Sequence, residues 1–178
     1  MTVIEIQELI NRHGRAIYGF CWHLCGNTTD AEDLYQDTML KLLELKHRVK
    51  VEGQSDDEYL GAKNYCLAIA VRLYKHRIGR KKKDMEDFFA DDSEYSEIES
   101  GLNIEEEYLA EEERRILRKI ISGLAYKKRV VIYMYYYGDM EIKDIAKALK
   151  IPEGTVKSRL SSAKQEIKER LRENGYGD

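Results

Sequence analysis

The chain holds a single proline, Pro152, and it falls between two stretches of helical periodicity that together occupy 141–171. Ile142, Ile145, Ala146 and Leu149 give the first stretch one apolar face. Beyond Lys150 and Ile151 the pattern resumes at Val156, Leu160, Ala163, Ile167 and Leu171, at spacings of three to four. A proline has no N–H to donate and its ring clashes with the preceding turn, so it is excluded from a helix interior but tolerated at a helix start. The pattern therefore predicts two short helices joined by a tight turn. The side chains left outside on the second are small or cationic: Thr155, Lys157, Ser158, Arg159, Ser161, Ser162 and Lys164. That is the outline of a helix-turn-helix whose second helix enters a major groove, and equally of two neighbours in a plain helical bundle.

A length of 178 residues suits one domain or two small ones. With one proline and 12 glycines, an all-strand sandwich is disfavoured, and 35% charged residues suit amphipathic helices. The formal net charge of −3 carries no global basic signature. Three cysteines and the lack of an apolar N-terminal stretch predict a reduced, cytoplasmic chain without a signal peptide. The run CLAIAV at 66–71 is far too short to span a bilayer.

Residues 3–25 place Val3, Ile6, Ile10, His13, Ile17, Phe20, Cys21 and Leu24 on one side of a long helix, which Gly26 and Asn27 should end. Thr29 and Glu32 then have the spacing of a capping box for a helix over 30–46. Ala31, Leu34, Thr38, Met39 and Leu42 form its inner face; Asp30, Asp33, Gln36 and Asp37 form the outer one. An acidic face of this kind is either ordinary solvated surface or a docking surface for a basic partner. After a polar loop at 47–58, a helix from Tyr59 to Ile78 ends among Arg72, Lys75, His76, Arg77, Arg80, Lys81, Lys82 and Lys83, with no acid between them. Such a run repels itself and usually faces an anion, and the interleaved Tyr65 and Tyr74 suit contact with exposed bases.

From Asp84 to Glu113 the sign reverses, with no lysine or arginine. The first part, to Asn103, reads as a flexible acidic linker. The expected fold is thus all-α: two small helical domains, 1–83 and 104–178, joined by the linker 84–103, the second a four-helix domain containing the helix-turn-helix. Its first two helices are expected over 104–124 and 127–137, the run VVIYMYYY being read as helix because no partner strand is evident. No catalytic constellation emerges. Cys21, His23 and Cys25 alternate along a helix, so consecutive members point to different sides and do not converge on zinc. There is no glycine-rich phosphate loop and no nucleophile elbow. The chain reads as a non-enzyme needing no cofactor, metal or small-molecule substrate.

Three segments carry a family resemblance. DAEDLYQDTMLKL at 30–42 resembles region 2.2 of bacterial RNA polymerase sigma factors of the extracytoplasmic-function group, a branch of the sigma-70 superfamily. YCLAIAVRLYKHRIGRKKK at 65–83 resembles their region 2.4, and the stretch 124–171 their region 4. The resemblance implies that Asp33, Gln36 and Asp37 dock on the β′ clamp helices of core polymerase, with Leu34 and Leu40 as packing support. It implies −10 contacts by Arg72, Lys75, His76, Arg77, Arg80 and Lys81, and capture of a flipped base by the loop 47–58. The −35 element would be read by the helix from Glu153, through Glu153, Thr155, Lys157, Ser158, Arg159, Ser162 and Lys164, while region 4 touches the β flap. An anti-sigma protein is a further implied partner. Departures from the family pattern include Lys150 for the usual turn glycine, Ser162 and Arg72 for frequent Arg and Asn, Leu43 for Trp, and Glu141 at a Ser/Thr cap, where Asp139 is expected to cap instead. A regulator that binds DNA without polymerase would leave the acidic face of 30–46 unexplained, and a protein-only adaptor would leave the basic run so.

Overall fold

The computed structural model describes residues 1–49, 58–84 and 104–176, with side chains over 1–49, 59–79 and 111–176. All regular structure among the described residues is helical. The order is α1 (Val3–Cys25), α2 (Thr28–Glu44), a 3-10 turn (Lys46–Arg48), α3 (Glu58–Asp84), α4 (Ile104–Ser122), α5 (Tyr126–Ile132), a π-helical turn (Tyr133–Tyr137), α6 (Ile142–Leu149) and α7 (Glu153–Glu173). The residues 50–57 of the expected base-capturing loop and 85–103 of the expected linker lie outside the described residues.

Local chemistry explains most boundaries. Thr2 and Glu5 form a capping box at the start of α1, and Gly26, at φ 78°, closes it by donating to Trp22 O at 2.7 Å. The capping box expected from Thr29 and Glu32 does not form. Asn27 caps α2 instead, its Oδ1 accepting from Asp30 N at 2.8 Å, and Thr29 lies inside the first turn. With Gly26 already turning the chain, the next residue is free to start a helix, and Asn is as good a cap as Thr. The inner face of α2 is as expected at Ala31, Leu34, Thr38 and Leu42, all fully buried. On α1, Leu9 and Trp22 join the core while Val3 stays outside.

α1, α2 and α3 pack on one another, and α4, α5 and α6 each pack on α7. These two groups share one apolar cluster, from Leu9, Phe20, Leu34 and Leu67 through to Val131, Met134, Ile145 and Val156. Contact between them is made by α1 against the π turn and α3 against α6. The run VVIYMYYY is helical, as its context predicts, but its last turn widens: Gly138 N donates to Tyr133 O at 2.9 Å, five residues back. Gly138 is needed here for space and not for its own φ of −84°. A Cβ at this point would lie 2.6 Å from Met134 O and 2.9 Å from Leu67 Cδ1 on α3. The left-handed step is taken by Asp139, at φ 51°.

The helix-turn-helix is present. α6 ends in Lys150, left-handed at φ 55° and ψ 49°, with Ile151 N donating to Ala146 O at 3.0 Å and Lys150 N to Lys147 O at 3.4 Å. That pair of bonds is the Schellman closure usually assigned to glycine. Pro152, extended at ψ 148°, stands at the cap position immediately before α7. The expected capping of α6 by Asp139 is not made: Glu141 is the N-cap residue, without a side-chain cap bond, and its carboxylate pairs with Lys143 at 2.8 Å. Asp139 is two residues too early, its left-handed backbone having turned the chain before the helix begins.

Two substitutions test this reading. Gly138→Ala should destabilise the protein by about 1–3 kcal/mol in urea unfolding, since backbone and Leu67 must both move. Lys150→Gly should raise stability by about 0.5–1 kcal/mol in the same assay, by removing the Cβ from a left-handed position.

Candidate nucleic-acid and polymerase interfaces

α7 is held by Val156, Leu160 and Ala163, which pack inward with Ile145 and Ala146 of α6. That burial sets which side of α7 faces water. Glu153, Lys157, Ser158, Ser161, Ser162 and Lys164 are exposed, and Thr155 and Arg159 are half-buried at the edge of the same surface. Ser158 Oγ donates to Thr155 O at 3.1 Å, tying two of the expected groove residues together. Lys164 is committed elsewhere as well: its ammonium lies 5.6 Å from the Tyr135 ring centre and 5.5 Å from that of Tyr136. Hydrogen bonding to Tyr136 raises its pKa. It thereby joins the rim of a groove of about 470 Å³ with Lys168 and Arg172, over a floor that includes Leu117, Ile132, Ile167 and Leu171.

On α2 the expected face is sorted by depth. Asp33, Gln36 and Asp37 are exposed and Leu34 is fully buried beneath them. Leu40, expected as packing support, is 59% exposed and stands on the surface beside the carboxylates. On α3, Arg72, Lys75 and His76 are exposed, and the side chains of Arg80 and Lys81 lie outside the described residues. Arg77 links the two sets: its Nη2 is 2.6 Å from Asp37 Oδ2 and its Nη1 donates to Asp30 O at 3.3 Å. A residue expected at DNA is thus paired with one expected at polymerase.

Sequence reasoning missed the residues where the two groups of helices meet. His23 at the end of α1 lies against Tyr137, ring centres 3.6 Å apart, with Tyr133 at 5.9 Å. Its pKa is lowered to about 4, first by burial and then by the Arg118 guanidinium, so the imidazole is neutral at physiological pH. Asn64 Nδ2 donates to Asp144 Oδ2 at 3.3 Å, and Tyr126 Oη to Val71 O at 3.4 Å. Only alternation of buried and exposed positions was available to find these, and Tyr137 and His23 fit either side of such a pattern. Cys21 and Cys66 are buried, and burial pushes both thiols up to about 12, which leaves them unreactive. Among the described residues no group of His, Cys, Asp and Glu is arranged to hold a metal, and no helix is long and apolar enough to cross a membrane.

A helix-turn-helix with a cationic, hydroxyl-rich face, joined to a second helical unit bearing separate acidic and basic surfaces, defines a bipartite DNA-binding transcription protein. Comparison with known proteins specifies it. The sigma-70 region 2 family model matches residues 9–56 and the sigma-70 region 4 model matches 114–167, together more than half of the chain. The extracytoplasmic-function (ECF) RNA polymerase sigma factor SigW of Bacillus subtilis is 26% identical over 93% of this chain and 88% of its own. The ECF sigma factor SigE of Mycolicibacterium smegmatis is 22% identical over 92% of this chain and 60% of that protein. The fold is similar, with a TM-score of 0.71 and 21% identity, to the sigma factor RpoE in its co-crystal structure with the anti-sigma factor NepR from Bartonella quintana, covering 93% of this chain and 95% of that one. The chain belongs to the sigma-70 family, as an ECF RNA polymerase sigma factor. It directs polymerase to promoters and is not itself an enzyme.

The depressed His23 pKa has a measurable consequence. A histidine that is neutral when folded but takes up a proton near pH 6.5 when unfolded contributes stability that is present above that pH and lost as pH falls towards 4. Stability should therefore drop by up to about 1.4 kcal/mol per pH unit through this window, and His23→Phe should flatten the urea-midpoint profile.

Proposed function

We propose that the surfaces of this sigma factor divide the work of initiation as follows. The α2 face made by Asp33, Gln36, Asp37 and Leu40, supported from below by Leu34, docks on the β′ clamp helices of core polymerase. Arg72, Lys75, His76 and Arg77 of α3, together with Arg80 and Lys81, contact the −10 element. The first turns of α7, with Glu153, Thr155, Lys157, Ser158, Arg159 and Ser162, enter the major groove at −35. Lys164 acts from the rim of the cation-lined groove, which receives the β flap. The units involved are 1–83 and 104–178, with 84–103 as an acidic linker.

The observation that carries this reading is the sorting of α2. Its apolar residues are spent on the core except for Leu40 and Leu43, which are left beside carboxylates on an exposed helix face. An apolar anchor ringed by charge is the composition of a docking patch, and the acidic sign suits a basic partner surface. For α7, the positive end of the helix dipole at the first turn attracts phosphate, while Lys157 and Arg159 supply positioning charge. An anti-sigma partner fits the same reading, because both exposed surfaces belong to a fold like that of a sigma factor solved with one.

Core polymerase retention by the full chain tests it. Asp33→Arg, Gln36→Ala and Asp37→Arg together should weaken retention and promoter-dependent initiation at least about ten-fold, equivalent to about 1.4 kcal/mol, with helicity unchanged. Retained polymerase binding with lost initiation would assign α2 a different role.

A further inference from the structure

A second recess, of about 130 Å³, lies apart from the cation-lined groove on α7. Its wall includes Trp22 and His23 at the end of α1, Tyr74 of α3, Arg118 of α4, Arg129 of α5 and Tyr133 of the π turn. None of these residues belongs to the surfaces proposed for polymerase, the −10 element or the −35 element. Among the described residues no aspartate or glutamate lines the recess, although the chain carries a net charge of −3. His23 is neutral, so the positive charge of the wall comes from the two guanidinium groups. Their pairing is incomplete. Arg129 is half-buried, and its Nη1 donates to the Ser122 carbonyl at 2.5 Å, a neutral partner at the end of α4. Arg118 lies over the Trp22 ring at 5.9 Å and places Nη2 2.6 Å from Glu111, a carboxylate that it shares with Arg114 and that does not line the recess. The Nε of each arginine is buried without an acceptor among the described residues.

A partly buried guanidinium without a counter-charge is costly, and a buried donor left unpaired adds to that cost. An anion in the recess offsets both. The guanidinium is a planar fork of N–H donors that matches the oxygens of phosphate, and here two such forks come from different helices. The size points the same way. A volume of about 130 Å³ is well below the roughly 300 Å³ at which pockets begin to enclose a whole small molecule, and it holds a few water-sized groups of ~30 Å³ each. We propose that this recess is a phosphate-binding site, in which Arg118 and Arg129 grip one phosphate group. The group is either free inorganic phosphate or the terminal phosphate of a solute whose remainder stays outside. Once bound, it ties α4 to α5 beside the end of α1. A ligand held only by the folded chain stabilises that chain, increasingly so as its concentration exceeds Kd.

Trp22 is the sole tryptophan of the chain, so its fluorescence reports on this recess. The full-length chain is titrated with inorganic phosphate at constant ionic strength, chloride being the balancing salt, and in parallel with ATP and with acetate. Phosphate should produce a saturable change that chloride does not, and should raise the urea midpoint over the same concentration range. Arg129→Gln should raise the Kd for phosphate at least about ten-fold, while Arg129→Lys keeps part of the affinity. Arg118→Gln should act in the same direction, which keeps the site testable if one of the two Gln variants fails to fold. Lys168→Gln, in the other cation-lined groove, should leave phosphate binding unchanged. Tighter binding of ATP than of phosphate would identify a phosphorylated solute as the ligand, and equal or weaker binding would identify free phosphate. The proposal is overturned by the lack of a saturable response to both phosphate and ATP, by a response that acetate reproduces, or by a Kd that neither arginine substitution changes.

Discussion

The close approach of the 133–138 turn to α1 and α3 is the constraint on which the arrangement of the molecule depends. Three features converge there. The backbone widens into a π turn, Gly138 leaves no side chain, and Leu67 lies where a Cβ at 138 would meet it at 2.9 Å. Because the turn is wide, Tyr133 and Tyr137 both reach His23, and the left-handed Asp139 then redirects the chain into α6. A side chain at 138 would push α3 and α6 apart, and with them the helix-turn-helix from the N-terminal helices. The apolar cluster is continuous across this point because the backbone permits it, and Leu67 and Met134 are both buried within it.

Charge is distributed so that burial and function do not compete. The two faces of α2 separate core from carboxylates, and α7 separates Val156, Leu160 and Ala163 from its cations and hydroxyls. Two of the ion pairs between described residues join elements: Arg77 to Asp37 between α3 and α2, and Lys128 to Glu166 at 2.9 Å between α5 and α7. Both pairs are partly exposed, and surface pairs of this kind contribute little to stability. Their effect is to fix orientation, holding Arg77 near the acidic face of α2 and α5 near the middle of α7. Lys63, the one buried charged side chain among the described residues, lies where the two groups of helices face each other.

The family assignment places the chemistry of transcription in the polymerase and leaves recognition to the chain. That division agrees with a molecule whose Cys21 and Cys66 are buried and unreactive, whose His23 is packed against Tyr137, and whose candidate surfaces are largely exposed helix faces.

Much of this was legible in the sequence, because the determinants are local. Apolar spacing fixes a helix face through 3.6-residue geometry, and it identified α1, α2, α3 and α7 to within a few residues, as well as the helix-turn-helix around Pro152. The strained Lys150 was also visible, since the turn demands a left-handed residue whatever occupies it. Caps were less legible: Asn27 outcompetes Thr29, and Asp139 caps nothing, because a cap depends on where the preceding turn delivers the chain. What the sequence alone settled was thus the helical identity of each segment, the sign of each exposed face and the family that those faces mark. Only tertiary structure decided that Leu67 meets Gly138, that His23 lies on Tyr137 and that Asn64 bonds Asp144. Those pairings join residues more than seventy positions apart, and periodicity carries no information about which face of one helix another will cover.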